Sequence, residues 1–142
     1  MPFSVIFFII ILVIISVIID KISSKKHNDF IKTLEGKSIF FSTNKQDFKV
    51  INNYVLQNLD ENIIQIELYS EKVKSVFETQ KIHRFISREK LKKFPIGVKI
   101  KNHNVYIHSF NLIYKQAFKE TITKETVFAS IQEWFNNSMS QN

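Results

Sequence analysis

Hydrophobic and polar positions divide this chain into an apolar N-terminal run and a longer segment of mixed pattern. Residues 2–19 carry no charged side chain, and fifteen of these eighteen residues are Phe, Val, Ile or Leu. As an α-helix they would rise roughly 27 Å, close to the roughly 30 Å hydrocarbon core of a bilayer. We predict a single transmembrane helix over residues 1–20, followed by a polar juxtamembrane linker over residues 21–37 with a helical pattern over 28–34.

The apolar run has two other interpretations, a cleaved secretory signal peptide and a buried core segment. Signal peptides begin with basic residues and end in a small-residue cleavage site. Residues 1–4 contain no Lys or Arg, and residues 15–21 contain no A-x-A-like site, which favours an uncleaved signal anchor. Basic residues follow the run at Lys21, Lys25, Lys26 and Lys32. The positive-inside bias therefore predicts that the C-terminal side is cytoplasmic.

Strand-like and helix-like patterns alternate from residue 38 onward. Alternating or short continuous apolar runs predict strands over residues 38–42, 62–69, 95–101 and 105–110, with a turn at 102–104. Apolar positions at helical spacing predict helices over residues 47–59, 72–86 and 123–136. The predicted fold is an α/β domain with the order β-α-β-α-β-β-α and a mixed sheet over residues 38–136. Residues 137–142 form a C-terminal tail.

Composition excludes several kinds of chemistry. The chain has no cysteine, so disulfides, thiolate metal sites and thiol redox catalysis are excluded. Its two glycines cannot form a glycine-rich phosphate loop, and its four histidines lack metal-binding spacing. We therefore expect no metal and no cofactor. The roughly 110 residues after the apolar run suffice for one small domain with a single core.

The order of elements and two local segments carry a resemblance. Residues 38–51 (SIFFSTNKQDFKVI) are similar to the first core strand, active-site turn and following helix of the thioredoxin-like fold superfamily. Residues 94–110 (FPIGVKIKNHNVYIHSF) resemble the family's segment in which a cis-proline leads into a hairpin. The resemblance covers nearly all of residues 38–136, and the predicted last helix falls where the family's last helix falls.

The resemblance implies a redox-inactive member that binds proteins. Redox-active members carry C-x-x-C in the turn, and the matching positions here contain no thiol. In the family the proline loop lies beside this turn and exposes backbone groups that can pair with an extended peptide. The implied partner-binding residues are Lys45, Gln46, Asp47, Phe48, Phe94, Pro95 and Ile96. Alternatively, Pro95 is simply the first residue of a strand, a position where proline is tolerated.

A second candidate surface is strongly basic. Residues 81–101 hold eight positive side chains and one acidic side chain, Glu89, within a chain of net charge +7. The basic residues are Lys81, Arg84, Arg88, Lys90, Lys92, Lys93, Lys99 and Lys101. Such a cluster attracts polyanions. It is typical of a solvated face, of a surface that contacts anionic lipid or an acidic protein, or of a nucleic-acid-binding surface.

Together these features predict a non-catalytic scaffold subunit of a membrane-associated assembly. Its expected partners are the lipid bilayer, other subunits of a membrane complex and an anionic lipid or acidic protein. We expect no enzymatic activity. The expected location is a bacterial inner (cytoplasmic) membrane, with one transmembrane pass and a cytoplasmic domain. The alternative function is a membrane-tethered enzyme, such as a nuclease, or a nucleic-acid-binding module that acts through the basic residues.

Overall fold

A computed structural model describes residues 2–69 and 73–137 of the chain. The helices are α1 (Phe3–Thr33), α2 (Lys49–Asn58), α3 (Thr79–Arg88), α4 (Asn111–Phe118) and α5 (Lys124–Asn136). The strands are β1 (Ser38–Thr43), β2 (Ile63–Leu68), β3 (Val73–Lys74), β4 (Ile96–Lys101) and β5 (Asn104–Ser109). A short 3-10 turn, Gln46–Phe48, leads into α2.

The strands form one mixed sheet in the order β3-β2-β1-β4-β5. Strands β1 and β2 are parallel and are joined through α2, whereas β4 pairs antiparallel with both β1 and β5. Strand β3 adds an antiparallel edge to β2. The predicted α/β class, the mixed sheet and the β4–β5 hairpin are therefore confirmed.

Both faces of the sheet are covered by helices. Strand β1 places large apolar side chains on both faces, whereas β4 places its large apolar side chains, Ile96, Val98 and Ile100, on one face. One core packs the end of α1 and helix α3 against Ile39 and Phe41. The other packs α2, α4 and α5 against Phe40. Helix α5 begins at an N-cap in which Thr123 Oγ1 accepts from the Thr126 amide, which satisfies one of the free amides of the first turn.

Helix α1 is longer than the apolar run. Among the described residues it is the one helix long and apolar enough to span a membrane, and its apolar stretch has no buried residue. The helix continues through the polar segment that we expected to be a linker, and it ends at Thr33. The polar segment after the apolar run contains four residues that are buried in the domain: His27, Phe30, Ile31 and Leu34. Their spacing of i, i+3, i+4 and i+7 places them on one helix face.

The region that we predicted as one helix over residues 72–86 contains two elements. Strand β3 comes first and α3 begins only at Thr79, while residue 72 lies outside the described residues. Val73 packs against the core from β3, and Phe77 packs against it from the bend between β3 and α3, so neither side chain belongs to a helix. Helix α4 was not predicted at all. Of the C-terminal tail, only Asn137 is described, in extended conformation after α5.

The end of α1 is tied to the β4–β5 hairpin. The Glu35 carboxylate accepts hydrogen bonds from the backbone amides of Asn102 and His103, the two turn residues. These amides hold the pKa of Glu35 below its ordinary value, His103 more strongly than Asn102. Gly36 donates its amide to the Ile100 carbonyl at 2.8 Å. The hairpin tip therefore lies at the end of α1 that is remote from the apolar run.

Candidate partner-binding edge and basic surface

The two segments expected to bind a partner meet at one edge of the sheet. The turn, residues 45–48, follows the carboxyl end of β1. The proline loop, residues 94–96, runs into β4, whose first residue is Ile96. In the antiparallel register Ile96 lies opposite Phe41, near the end of β1. Both segments therefore lie at the edge opposite the hairpin tip. We call this the candidate edge.

Only part of the turn is accessible at the candidate edge. Lys45, Gln46 and Asp47 are exposed, whereas Phe48 is buried. The Phe48 ring contacts Tyr114 edge-on, with ring centroids 5.3 Å apart, so it belongs to the core beneath α2. The three polar residues are available to a partner, and Phe48 positions them.

The backbone carbonyl groups at the proline loop accept hydrogen bonds from within the domain. The carbonyls of Lys93, Phe94 and Pro95 accept from Ser109 Oγ, from Asn111 Nδ2 at 2.9 Å and from the Phe110 amide at 2.8 Å, respectively. The peptide bond between Phe94 and Pro95 is cis. These contacts lock the loop to the end of β5 and the start of α4.

Side chains of the proline loop are also largely covered. Pro95 and Ile96 are buried, and Phe94 is half-buried with its ring 6.2 Å from that of Phe41. The loop therefore offers a partner part of the Phe94 ring and the exposed side chains of Lys92 and Lys93, which precede it. Pairing of an extended peptide with the loop backbone, as the resemblance implies, stays a prediction.

A polar cleft of about 320 Å³ lies at the same edge, and the sequence did not reveal it. It opens at the carboxyl ends of the parallel strands β1 and β2, where open α/β sheets bind ligands. Its lining is mostly hydroxyl, amide and charged side chains, among them Thr43, Gln46, Lys49, Asn52 and Tyr69. The cleft extends the candidate edge from the turn toward β2.

Hydrogen bonds organise the cleft floor around Asn52. Asn52 Nδ2 donates to the Thr43 carbonyl at 3.2 Å, and its Oδ1 accepts from the Tyr114 hydroxyl at 3.3 Å. Burial raises the pKa of Tyr114, which keeps the hydroxyl a donor. At the rim, Tyr69 donates to Glu67 Oε2 at 2.7 Å, and this bond raises the pKa of Tyr69. Open α/β sheets bind ligands at the carboxyl ends of their parallel strands, and this rule could have located these residues from the sequence.

The basic residues do not form one continuous face. Lys99 is only 5% exposed, contrary to our expectation, because Trp134 and the end of α5 cover that side of β4. Its Nζ lies 4.3 Å from the Trp134 ring centroid and donates to the Asn137 carbonyl at 3.1 Å. Desolvation lowers the pKa of Lys99. Lys101 is exposed, but it precedes the hairpin tip, at the opposite edge of the sheet from Lys92 and Lys93.

The basic residues of α3 line its junction with α1. Arg88 Nη2 donates to Asp20 Oδ1 at 2.8 Å and to the Asp20 carbonyl at 3.2 Å. Arg84 is half-buried, and the exposed Lys81 lies 3.9 Å from Glu78. Lys90 follows the helix and is exposed. The basic cluster therefore divides among the α1–α3 junction, the candidate edge and the hairpin.

Within the described residues, no group of three or more His, Asp or Glu side chains could hold a metal ion. The candidate edge and the basic side chains offer hydrogen bonds and charge, which suit recognition. Comparison with known proteins adds no relative: no protein-family model, no curated protein and no solved structure matches this chain.

Proposed function

We propose that the protein is a non-catalytic, membrane-anchored subunit that binds other proteins of a membrane assembly. Helix α1 carries the proposal. Its apolar part is exposed along its length, while its last turns are buried in the core of the domain through Phe30, Ile31 and Leu34. A soluble protein would pay a large hydration cost for such an exposed apolar helix, and a bilayer removes that cost. One rigid element then both spans the membrane and holds the domain.

The domain is proposed to be thioredoxin-like. The parallel β1–α2–β2 unit, the antiparallel β4–β5 hairpin beside β1 and the closing helix α5 support this proposal. Strand β3 and helix α4 are additions to the order that we expected. The absence of cysteine from the whole chain removes thiol exchange, so only recognition remains of the family's activities.

The partner is proposed to bind at the candidate edge through polar and acidic groups. Exposed lysines surround this edge, at Lys45 and Lys49 on one side and at Lys92 and Lys93 on the other. The edge lies opposite the hairpin that Glu35 holds at the membrane-distal end of α1. It therefore faces back toward the bilayer, where a neighbouring membrane subunit would meet it. Charge of this kind steers association and selects acidic partners.

Site-specific cross-linking tests the proposed edge. Because the chain has no cysteine, a photoactivatable maleimide can be attached to one introduced thiol. Gln46→Cys places it at the candidate edge, and Asn58→Cys is the matched control at the other end of α2; both residues are exposed. After irradiation of native membranes, we expect a discrete cross-linked partner from the Gln46 position alone. Recovery of only uncross-linked monomer, or equal products from both positions, would contradict the proposal.

Thiol labelling in intact cells tests the orientation separately. Lys119 is exposed at the end of α4, so Lys119→Cys reports on the location of the domain. With a membrane-impermeant maleimide we expect labelling only after the cells are opened, as a cytoplasmic domain requires. Labelling of intact cells would reverse the orientation and leave the anchoring intact.

A further inference from the structure

A basic groove lies between α1 and α3, away from the candidate edge. It is a shallow groove, wide open to solvent, with a volume of about 470 Å³. It is lined by Ser23, Gln80, His83, Arg84, Ser87 and Arg88. Both helices contribute, so the groove exists only because α1 continues past the apolar run and packs on α3.

The lining consists of groups that donate hydrogen bonds to phosphate. Two guanidinium groups, an imidazole, two hydroxyls and an amide surround the groove, and no carboxylate lines it among the described residues. Arg88 uses Nη2 to bind Asp20, which leaves its other N–H groups as donors. Arginine binds phosphate oxygens through its planar fork, with hydrogen bonds stronger than those between neutral groups.

The position of the groove along α1 matches a particular layer of a bilayer. The apolar run ends at Ile19, and Ser23 lies four residues further, roughly 6 Å along the helix axis. A headgroup layer is roughly 5–8 Å thick on each side of the hydrocarbon core. The bond from Arg88 to Asp20, the first residue after the run, holds the end of α3 at the same depth. With α1 spanning the bilayer as proposed, the groove would lie among lipid headgroups.

A second groove between the same helices provides the contrast. Its volume is about 320 Å³, and Lys26, Lys81 and Arg84 line it together with the carboxylates Asp29 and Glu78. Lys26 lies seven residues beyond Ile19, roughly 10 Å along the axis and outside the headgroup layer. Distance from the bilayer and two acidic side chains make this second groove unsuitable for a lipid phosphate.

We propose that the groove formed by Ser23, Arg84, Ser87 and Arg88 binds the phosphate of an anionic phospholipid headgroup. The inference rests on the proposed membrane anchoring of α1. A bound headgroup would bridge α1 and α3 and fix the rotation of the domain about the helix axis, which determines the direction of the candidate edge. Basic pockets at the membrane surface recognise anionic headgroups through this combination of charge and donors.

Lipid retention by the full chain tests the site. The protein is reconstituted into nanodiscs containing equal amounts of phosphatidylcholine and phosphatidylglycerol, transferred to mild detergent, and its bound lipids are counted by native mass spectrometry. We expect phosphatidylglycerol to be retained in preference to phosphatidylcholine. Arg84→Gln should reduce the retained phosphatidylglycerol about tenfold, as the loss of a charge-assisted hydrogen bond requires. Lys81→Gln, which removes an exposed charge from the same helix, is the matched control and should change it little.

A second variant keeps both arginines. Ser23→Glu introduces a carboxylate into the groove and should expel the lipid phosphate while α1 stays in the bilayer. An excess of inorganic phosphate should not displace the retained lipid, because the acyl chains hold the headgroup in place.

Equal retention of the two lipids, or equal losses from Arg84→Gln and Lys81→Gln, would overturn the headgroup site. Retention by Ser23→Glu at the wild-type level would overturn it also. Extraction with alkaline carbonate separates this failure from a failure of the anchor. A chain that stays in the membrane pellet but shows no lipid preference rejects the site alone, whereas release into the supernatant rejects the anchoring.

Discussion

Phe30 is the residue at which the proposed membrane helix becomes part of the domain core. It is 5% exposed, and its ring makes edge contacts with Phe77 and Phe85 at centroid distances of 5.3 and 6.1 Å. Phe30→Ala would remove these contacts and leave a cavity between α1 and α3. Truncation of a buried phenylalanine costs about 3–5 kcal/mol of unfolding free energy.

The expected loss can be measured with one intrinsic probe. Trp134 is the only tryptophan and packs on the opposite face of the sheet, so its fluorescence reports unfolding of the whole domain. With an m-value of about 2 kcal/mol/M, a loss of about 3 kcal/mol lowers the urea midpoint by about 1.5 M. The measurement uses the full chain in a mild nonionic detergent.

Phe8 supplies a control of the same residue type in the same helix. It is 61% exposed in the apolar run, so Phe8→Ala should leave the unfolding midpoint of the domain unchanged. If the segment after the run were only a solvated spacer, Phe30→Ala would behave like Phe8→Ala. Equal midpoints for the two variants would refute the conclusion that α1 belongs to both the anchor and the domain.

Three further variants test packing and protonation in the same fluorescence assay. Gly97→Ala should lower the unfolding free energy by about 1–3 kcal/mol, because the added Cβ would lie 2.7 Å from the Trp134 ring; a wild-type midpoint would show that the α5 packing is wrong. Glu35→Gln should destabilise the protein at neutral pH. Hydrogen bonds from the backbone, chiefly from the His103 amide, lower the pKa of Glu35 in the folded protein. The carboxylate therefore adds to the free energy of unfolding at pH values above its ordinary pKa of 4.5, and this stabilisation is lost as the pH falls through the folded pKa. The difference in unfolding free energy between wild type and Glu35→Gln should therefore shrink in acid. A difference that does not change with pH would contradict the stabilising role of the Glu35 carboxylate. Lys99→Met should remove a rise in stability on the alkaline side. Desolvation lowers the folded pKa of Lys99 below 10.5, so the unfolded chain binds more protons between the two values and wild-type stability rises there with pH; parallel pH profiles would contradict the burial of this ammonium group.

Regular hydrophobic periods made much of the fold predictable. The strands β1, β2, β4 and β5 and the helix α5 were located within a few residues because their apolar positions repeat at the strand or helix period. Helix α4 was missed, although Ile113, Tyr114 and Ala117 have helical spacing and pack into the core. Its short length and polar surroundings hid the pattern among loop residues.

The continuation of α1 was predicted only in part. The helical pattern over residues 28–34 agrees with the helix, which ends at Thr33, but its unbroken connection to the apolar run was hidden by charge. Nine charged or histidine side chains between residues 20 and 37 gave the segment the composition of a linker. The helical stripe that packs on the domain, from His27 to Leu34, lies among them. Such a stripe predicts a buried face, but its partner, α3, comes about fifty residues later. The α1–α3 groove could not be predicted because it depends on this long-range contact.

Lys99 shows why the basic cluster was only partly predictable. Strand alternation correctly places it on the face opposite Val98, and a mixed sheet of this kind carries helices on both faces. Here α5 covers that face as well and brings Trp134 over the lysine. The sequence indicates the face, but not what packs against it. The cleft at the candidate edge was missed for a related reason, since its lining comes from four separate elements: β1, the 3-10 turn, α2 and β2.

Both the proposed binding role and the proposed headgroup site require that α1 is inserted into lipid. Single cysteines at Ile10, in the apolar run, and at Asn28, on the exposed side of the same helix, can be treated with a hydrophilic maleimide in opened native membranes. We predict complete labelling of the Asn28→Cys thiol, and labelling of the Ile10→Cys thiol only after the membranes are dissolved in denaturing detergent. Equal labelling of both thiols in intact bilayers would show that α1 does not lie in the membrane.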